Sequence, residues 1–138
     1  MVKPHVRVAT PDDHALFIEW HAHRGRTLNP AILPATTYVL ELDGARVAAL
    51  SLCMIVGSPC AYLEHAQHRP GATPAETRSH FAILAGACIA VANAHDYSTF
   101  QAITSEPIAL ALGEMGWEVH QTPLFAATCF SPPPPPLD

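Results

Sequence analysis

The stretch from Ala61 to Trp117 constrains the fold more than any other part of the chain. An apolar run, AYLEHA, leads into the turn QHRPGATP, and a long helix-patterned segment follows. The stretch then passes through a second strand pattern and a second helix pattern to GEMGW. This order of strand, loop, helix, strand and helix predicts a ligand held where the first strand ends, because unpaired amide groups at a helix start favour an anion.

The 138 residues suffice for one domain with its own core. We expect this domain to span residues 1–130, and we expect residues 131–138, SPPPPPLD, to form an extended proline-rich tail. Hydrophobic residues make up 49% of the chain and charged residues only 14%. A surface so poor in charge favours a homo-oligomer or a place in a larger assembly.

Charge and hydropathy exclude two classes of partner. The net charge is -5 and Lys3 is the only lysine, whereas nucleic-acid binding requires clustered cations. The most apolar run, ARVAALSLCMIVG, is shorter than the roughly 20 residues that cross a bilayer. The N-terminal MVKPHVRVATPDD also lacks the apolar segment of a secretory signal. We therefore expect a soluble, cytoplasmic protein that binds neither nucleic acid nor membrane.

The cysteines and histidines do not indicate a metal site. The four cysteines have no CxxC spacing, and three lie in apolar runs, which is typical of reduced structural thiols. The pairs His21-x-His23 and His65-x-x-His68 lack both the i, i+4 helix spacing and a clear third ligand. The sequence therefore predicts no metal ligand.

Periodicity, capping residues and turn signals predict the elements along the chain. Thr10-Pro11 starts a helix whose Leu16, Trp20 and His23 share one side with Phe17 beside them, and Asp43-Gly44 closes a tight hairpin. The predicted strands are His5–Ala9, Thr37–Leu42, Arg46–Val56, Cys60–Ala66, Ser98–Ile103, Trp117–His120 and Leu124–Cys129. The predicted helices are Pro11–Arg24, Ala75–Ala94, which Thr73 caps, and Glu106–Glu114, with loops at Arg26–Thr36 and Gln67–Pro74.

This layout resembles the acyl-CoA N-acyltransferase family, often abbreviated GNAT. Two motifs carry the resemblance: the loop from Gln67 to Pro74 is similar to the family's Q/R-x-x-G-x-G/A loop, and Leu112 to Trp117 is similar to its closing Y-x-x-x-G-F pattern. The resemblance implies an α+β fold. Its mixed, mostly antiparallel sheet would have six to seven strands, with three or four helices flanking it.

The resemblance also implies the cofactor-binding residues. Acetyl-CoA or another acyl-CoA would be the donor substrate, and main-chain amides would hold its pyrophosphate. The positions that match the family's site are His65, Ala66, Gln67, Arg69, Gly71, Ala72 and Thr73, together with Ser105, which falls near the family's helix-start asparagine. Arg69 adds a cation to a loop whose Pro70 and Pro74 offer no amide hydrogen.

The implied activity is transfer of an acetyl or other short acyl group to an amine, either a small molecule or a protein N-terminus or lysine. Glu64 is at the position where family members often place a general base, and His120 is a weaker candidate. In a regular strand Glu64 and His65 point to opposite faces, so both cannot serve one side.

Two departures from the family leave activity open, and the first is Ser105 near the position of the family's helix-start asparagine. The tyrosine that commonly protonates the departing thiolate in the family falls on Leu112, which can donate no proton. A catalytically inactive GNAT-like scaffold or assembly subunit, such as a viral structural component in a virion, is therefore the alternative to a cytoplasmic N-acyltransferase. The proline-rich tail and the low charge favour this alternative. The enzyme is favoured because many family members are active without that tyrosine.

Overall fold

The structure, a computed structural model, describes residues 2–120 of the chain. Its elements, in chain order, are β1 (Pro4–Val8), α1 (Pro11–His23), a short 3-10 turn (Pro30–Ile32), β2 (Thr37–Leu42), β3 (Ala45–Met54), β4 (Cys60–His68), α2 (Pro74–Ala94), β5 (Thr99–Ala102) and α3 (Glu106–Glu114). The three helices and five of the predicted strands are confirmed to within a few residues.

The strands form one mixed sheet in the order β1-β2-β3-β4-β5. β1 to β4 pair antiparallel, and β5 pairs parallel to β4 because α2 crosses over between them. The mixed, mostly antiparallel fold class is confirmed. Within residues 2–120, however, the sheet has five strands rather than six or seven.

The predicted strand Trp117–His120 is wrong. The Trp117 amide donates to the Leu112 carbonyl at the end of α3, and Gly116 has a φ of +93°, so the chain turns here. Residues 118–120 are exposed and have no strand partner among the described residues. The predicted strand Leu124–Cys129 and the tail 131–138 lie outside the described residues.

The β2–β3 hairpin turns where the sequence predicted. Asp43 and Gly44 have φ values of +49° and +84°, which an Asp-Gly pair tolerates best. Strand pairing then runs from Leu42 opposite Ala45 to Thr37 opposite Ser51.

The helices cover the two faces of the sheet in three layers. Because side chains alternate along a strand, Val39 and Ala49 face one side and Leu40 and Leu50 the other. α1 covers the first face with Phe17, Trp20 and, after the helix, Leu28. α2 and α3 cover the second face with a larger cluster of Phe81, Leu84, Ala85, Cys88, Ala92, Ile108 and Leu112.

The buried stripe of α1 differs in part from the prediction. Phe17 and Trp20 are buried, Leu16 is half-buried against them, and the buried Asp13 adds a residue that was not predicted. His23 is exposed because the helix ends there and the chain turns at Gly25, where φ is +69°. The turn brings the C-terminal end of α1 close to the end of β4.

Candidate functional site

β4 and β5 pair over only part of their length. The pairing stops at Leu63 opposite Ala102, where β5 ends, whereas β4 continues to His68. Beyond Leu63, the last strand residues of β4 therefore have no β5 partner. An opening forms at this edge of the sheet, between the end of α1 on one face and the starts of α2 and α3 on the other.

A cleft of about 570 Å³ occupies this opening. Four segments of the chain line it: the end of α1, the end of β4, the first turns of α2, and the connection from β5 into α3. The lining residues are Arg24, Arg26, Ala66, His68, Thr77, Phe81, Ile103, Thr104, Ser105 and Ile108. The volume is in the range of small-molecule and cofactor sites, which typically measure roughly 300–1,000 Å³.

A bulge in β4 shapes the inner end of the cleft. The register changes between Ala49 and Ser51 of β3, and His65 opposite this shift has a φ of +51°. Because of this left-handed residue, His65 Nε2 lies 3.6 Å from Glu64 Oε2. The expectation that Glu64 and His65 point to opposite faces is therefore wrong, since it assumed a regular strand.

Glu64 lies beside a narrow extension of the cleft. A cavity of about 20 Å³ is lined by Glu64 and Leu63 and shares Ala66, Phe81 and Thr104 with the cleft. The Cys53 thiol lies 3.6 Å from Glu64 Oε2, and burial together with this carboxylate raises the pKa of Cys53 to about 11. Cys53 is therefore a neutral hydrogen-bond donor to Glu64 rather than a nucleophile.

The loop that follows β4 is shorter than the sequence predicted, because Gln67 and His68 belong to the strand. The Arg69 amide donates to the Val47 carbonyl at 2.9 Å and so still belongs to the sheet. The amides of residues 71–73 donate to no acceptor among the described residues, at a turn where Gly71 has a φ of +85°, but these three residues do not line the cleft. Thr73 caps α2 by accepting the Glu76 amide at 3.1 Å, as predicted.

Positive charge surrounds the outer end of the cleft. Arg24 and Arg26 line it directly, and Arg24 Nη2 donates to the His68 carbonyl at 2.9 Å. This hydrogen bond ties the end of α1 to the end of β4. The N-terminal end of α2, with its partial positive charge, adds to the field near Thr77. The arrangement favours an anionic ligand.

Of the other residues predicted from the sequence, Ala66 and Ser105 line the cleft, and Ser105 is also the N-cap residue of α3. Gln67 is fully buried, and among residues 2–120 neither polar atom of its amide has a hydrogen-bond partner. His120 is exposed, 3.5 Å from Glu118, and does not line the cleft. Leu112 is buried in the larger core cluster.

Sequence reasoning missed three groups of lining residues. Arg24 and Arg26 follow a helix end and have no motif of their own. Thr77 lies in the first turn of α2 and belongs to no motif in the sequence. The Thr104 hydroxyl is buried without a partner among the described residues, which suits a hydrogen bond to a ligand. Only the Arg-Gly-Arg spacing after α1 could have pointed to the cations.

Comparison with known proteins identifies the fold. No protein-family model and no curated protein sequence matches the chain. Solved structures do match it: an acetyltransferase from Trypanosoma brucei has a TM-score of 0.61 at 13% identity, and the match covers 91% of this chain and all of that one. A predicted acetyltransferase from Clostridium acetobutylicum, solved with acetyl-CoA, has a TM-score of 0.58 at 10% identity over 91% and 96% of the two chains.

The chain has the GNAT fold. Part of N-acetylglutamate synthase from Neisseria gonorrhoeae, complexed with coenzyme A and N-acetyl-glutamate, also matches this GNAT fold, with a TM-score of 0.57 at 18% identity. That match covers 83% of this chain but only 27% of the synthase. A protein described as a transcriptional regulator from Bacillus halodurans matches with a TM-score of 0.65 at 16% identity, over 91% of this chain and all of that one. At these identities the likeness establishes the architecture.

Two further observations concern residues 2–120. No helix in this range is both long and apolar enough to span a bilayer. The same range contains no cluster of three or more His, Cys, Asp or Glu side chains arranged to hold a metal ion. Cys53, Cys60 and Cys88 are free thiols, and burial raises the pKa of Cys88 to about 12. Cys129 lies outside the described residues.

Proposed function

We propose that this chain binds an acyl-CoA in the cleft between β4 and β5 and transfers an acetyl or other short acyl group to an amine. The cleft of about 570 Å³ carries the proposal, because it opens where β5 ends and β4 continues, and its outer end is lined by Arg24 and Arg26. A diphosphate needs cations and free amides, and a pantetheine arm needs an apolar channel. Arg24 and Arg26 supply cations to the cleft, Ala66, Phe81 and Ile108 supply apolar lining, and the free amides of residues 71–73 lie in the loop between the lining residues His68 and Thr77.

The binding roles follow from this division. The diphosphate would lie near the amides of residues 71–73, the first turn of α2 and the two arginines. The pantetheine arm would run past Ala66, Phe81 and Ile108, with the Thr104 hydroxyl available for one of its amides. The thioester would then approach Glu64 in the narrow extension.

The chemistry requires one base and one leaving group. Glu64 would take a proton from the ammonium group of the acceptor, directly or through water, and the free amine would attack the thioester carbonyl. The tetrahedral intermediate would lose its second nitrogen proton to solvent and collapse, the carbon–sulfur bond would break, and coenzyme A would leave as a thiolate. Because a thiol has a pKa of about 8.5, a thiolate can leave without an acid, although the departure is then slower. The replacement of the family's tyrosine by Leu112 is therefore compatible with slow turnover.

The proposal extends to partners and location as the sequence suggested them. The acceptor would be a small amine or a protein N-terminus or lysine, bound between the loop of residues 26–36 and the hairpin edge. The low fraction of charged residues, 14%, supports a homo-oligomer or a larger assembly. A cytoplasmic location would supply both acyl-CoA and reduced thiols.

Calorimetric titration with acetyl-CoA tests the binding step. We expect micromolar affinity for the unaltered protein and at least a tenfold loss in Gly71→Glu, which places a carboxylate where the diphosphate would lie. Gly57→Glu is a matched control, since Gly57 and Gly71 have φ values of +80° and +85° and both have open space around an added Cβ. Gly57 lies in the β3–β4 turn, so this variant should bind normally.

Each outcome separates the enzyme from the alternative. Equal affinities of the two glycine variants would show that the loop is not the diphosphate site. No binding at millimolar acetyl-CoA would contradict the proposal and would favour a GNAT-like scaffold without catalytic activity. Binding followed by release of free thiol on addition of amines would support the transferase.

A further inference from the structure

Two buried histidines form a hydrogen-bonded pair at the outer end of the cleft. His68, at the end of β4, is 2% exposed and lines the cleft, and His80 on α2 is 7% exposed. His68 Nε2 lies 2.7 Å from His80 Nδ1, with the ring planes parallel to within 1° and the centroids 5.0 Å apart. The short nitrogen–nitrogen distance and the longer centroid distance place the rings edge to edge in one plane.

The hydrogen bonds fix the tautomers of the neutral pair. His68 Nδ1 lies 2.8 Å from the Arg69 carbonyl, which can only accept, so His68 Nδ1 must carry the hydrogen. Neutral His68 therefore has a lone pair at Nε2, and His80 must donate to it from Nδ1. This assignment leaves His80 Nε2 unprotonated.

The pair can accept one proton but not two. A proton added at His80 Nε2 leaves both existing hydrogen bonds in place and strengthens the one between the rings, because its donor becomes charged. A second proton would have to enter at His68 Nε2. It would place two N–H groups head to head across 2.7 Å and break the pair.

Charged groups from three segments lie near the pair. Arg24 from the end of α1 disfavours a proton on His68, and Arg69 from the loop after β4 disfavours one on either ring. Glu76, one turn before His80 on α2, favours a proton on His80. Arg26 adds positive charge across the cleft. Burial lowers the pKa of both histidines first, and the arginines lower it further. The free protein therefore holds the pair neutral near pH 7.

We propose that the His68–His80 pair takes up one proton when the diphosphate of an acyl-CoA occupies the cleft, so that ligand binding and protonation are linked. The inference rests on the proposed function. A multiply charged anion near Arg24 and Arg69 cancels the field that keeps the pair neutral. The protonated pair then adds a positive charge next to the cleft, and protonation at His80 Nε2 leaves both hydrogen bonds of the pair in place.

Proton linkage has a measurable consequence. Between the pH at which the free pair titrates and the higher pH at which the ligand-bound pair titrates, uptake of one proton on binding makes the affinity fall by up to about tenfold per pH unit. We therefore expect the affinity for acetyl-CoA to fall as the pH rises from about 7 to 8.5. Proton uptake should approach one per molecule bound, apart from the contribution of the ligand's own phosphates.

Calorimetry in two buffers of different ionisation enthalpy, PIPES and Tris, counts these protons with acetyl-CoA as the ligand. His80→Gln keeps a donor for His68 but cannot be protonated, so its proton uptake should fall by most of one proton while the ligand's own contribution stays. His95→Gln is the control, because His95 is exposed at the far end of α2. It should behave like the unaltered protein.

The outcomes distinguish this inference from the proposed function. Binding with the same proton uptake in the unaltered protein and in His80→Gln would overturn the linkage and leave acyl-CoA binding intact. Failure of the unaltered protein to bind acetyl-CoA would remove both. If His80→Gln does not fold, nitrogen-15 NMR of the unaltered protein decides, since acetyl-CoA should shift an imidazole Nε2 signal to its protonated position at constant pH. An unchanged signal would overturn the linkage.

Discussion

Asp13 on α1 is the strongest stability test that the structure offers. Its carboxylate is 1% exposed and accepts two hydrogen bonds from Arg7, each 2.8 Å long. Arg46 Nη1 donates a third at 3.1 Å, and the Thr10 amide donates a fourth at 2.7 Å. This network joins the start of α1 to β1 and β3. We expect Asp13→Asn to destabilise the protein strongly.

The size of the loss follows from what remains after the substitution. Removing one partner of a buried ion pair costs about 3–5 kcal/mol when the remaining charge stays buried. Here Arg7 and Arg46 are 28% and 36% exposed, so water can partly solvate both guanidinium groups. The asparagine amide also keeps one accepting oxygen. We therefore expect a loss of about 2–4 kcal/mol in the free energy of unfolding.

The pH dependence gives the prediction a second signature. The hydrogen bonds from Arg7 hold the pKa of Asp13 well below its usual value. A carboxyl group with a lowered folded-state pKa stabilises fully above its unfolded pKa of about 3.9, and this contribution is lost as the pH falls below that value. The stability difference between the unaltered protein and Asp13→Asn should be constant from about pH 5 to 7. It should shrink below about pH 4.

Urea unfolding followed by circular dichroism measures both quantities. Asp12→Asn is the matched control, because Asp12 precedes Asp13 in the same helical turn but is exposed. It should cost about 0.3–1 kcal/mol through the helix dipole alone. Equal losses for the two variants, or a stability difference that persists unchanged at pH 3, would refute the argument that Asp13 is a buried, charged anchor.

Three further predictions use the same chain. Gln67→Met removes two polar atoms that lack partners among residues 2–120 and should raise the free energy of unfolding by about 1–3 kcal/mol. In the same urea experiment, Gln101→Met should change this free energy little, because Gln101 is exposed. A loss of acetyl-CoA affinity in Gln67→Met would instead show that this amide serves the ligand. Glu64→Gln should lower kcat by about 10²–10⁴ with nearly unchanged affinity, as a thiol-release assay would show, with exposed Glu19→Gln as control. Equal rates would exclude Glu64 as the base. Arg26→Gln should weaken binding by roughly threefold to thirtyfold, and more at low than at high salt, so a loss independent of salt would argue against an electrostatic role.

Local signals predicted the fold because each element carries its own start and stop. Asp43-Gly44 sets the hairpin, Thr73-Pro74 starts α2, and α2 begins and ends within one residue of its predicted bounds. Buried Phe81, Leu84, Cys88 and Ala92 lie three or four residues apart, so the helical period alone identifies the stripe that meets the sheet. The order of such elements then suffices for a resemblance to the GNAT fold.

The site was only partly predictable because it depends on exceptions to those regular patterns. The positive φ of His65 has no signal in the sequence, yet it brings His65 and Glu64 together. Gln67 and His68 resemble loop residues in composition, but the pairing of β4 with β3 continues to His68. The approach of Arg24 to His68 depends on where α1 ends relative to the sheet. Such tertiary contacts lie beyond periodicity and capping rules.

The two ends of the cleft carry different functional groups, and this difference separates binding from catalysis. The outer end combines Arg24, Arg26, the histidine pair and the start of α2, all of which favour an anion. The inner end offers Glu64, with Leu112 at the position where the resemblance places an acid. Binding of the diphosphate needs the outer end, whereas turnover also needs the base at the inner end. Affinity for acyl-CoA should therefore survive sequence changes that reduce the rate of transfer.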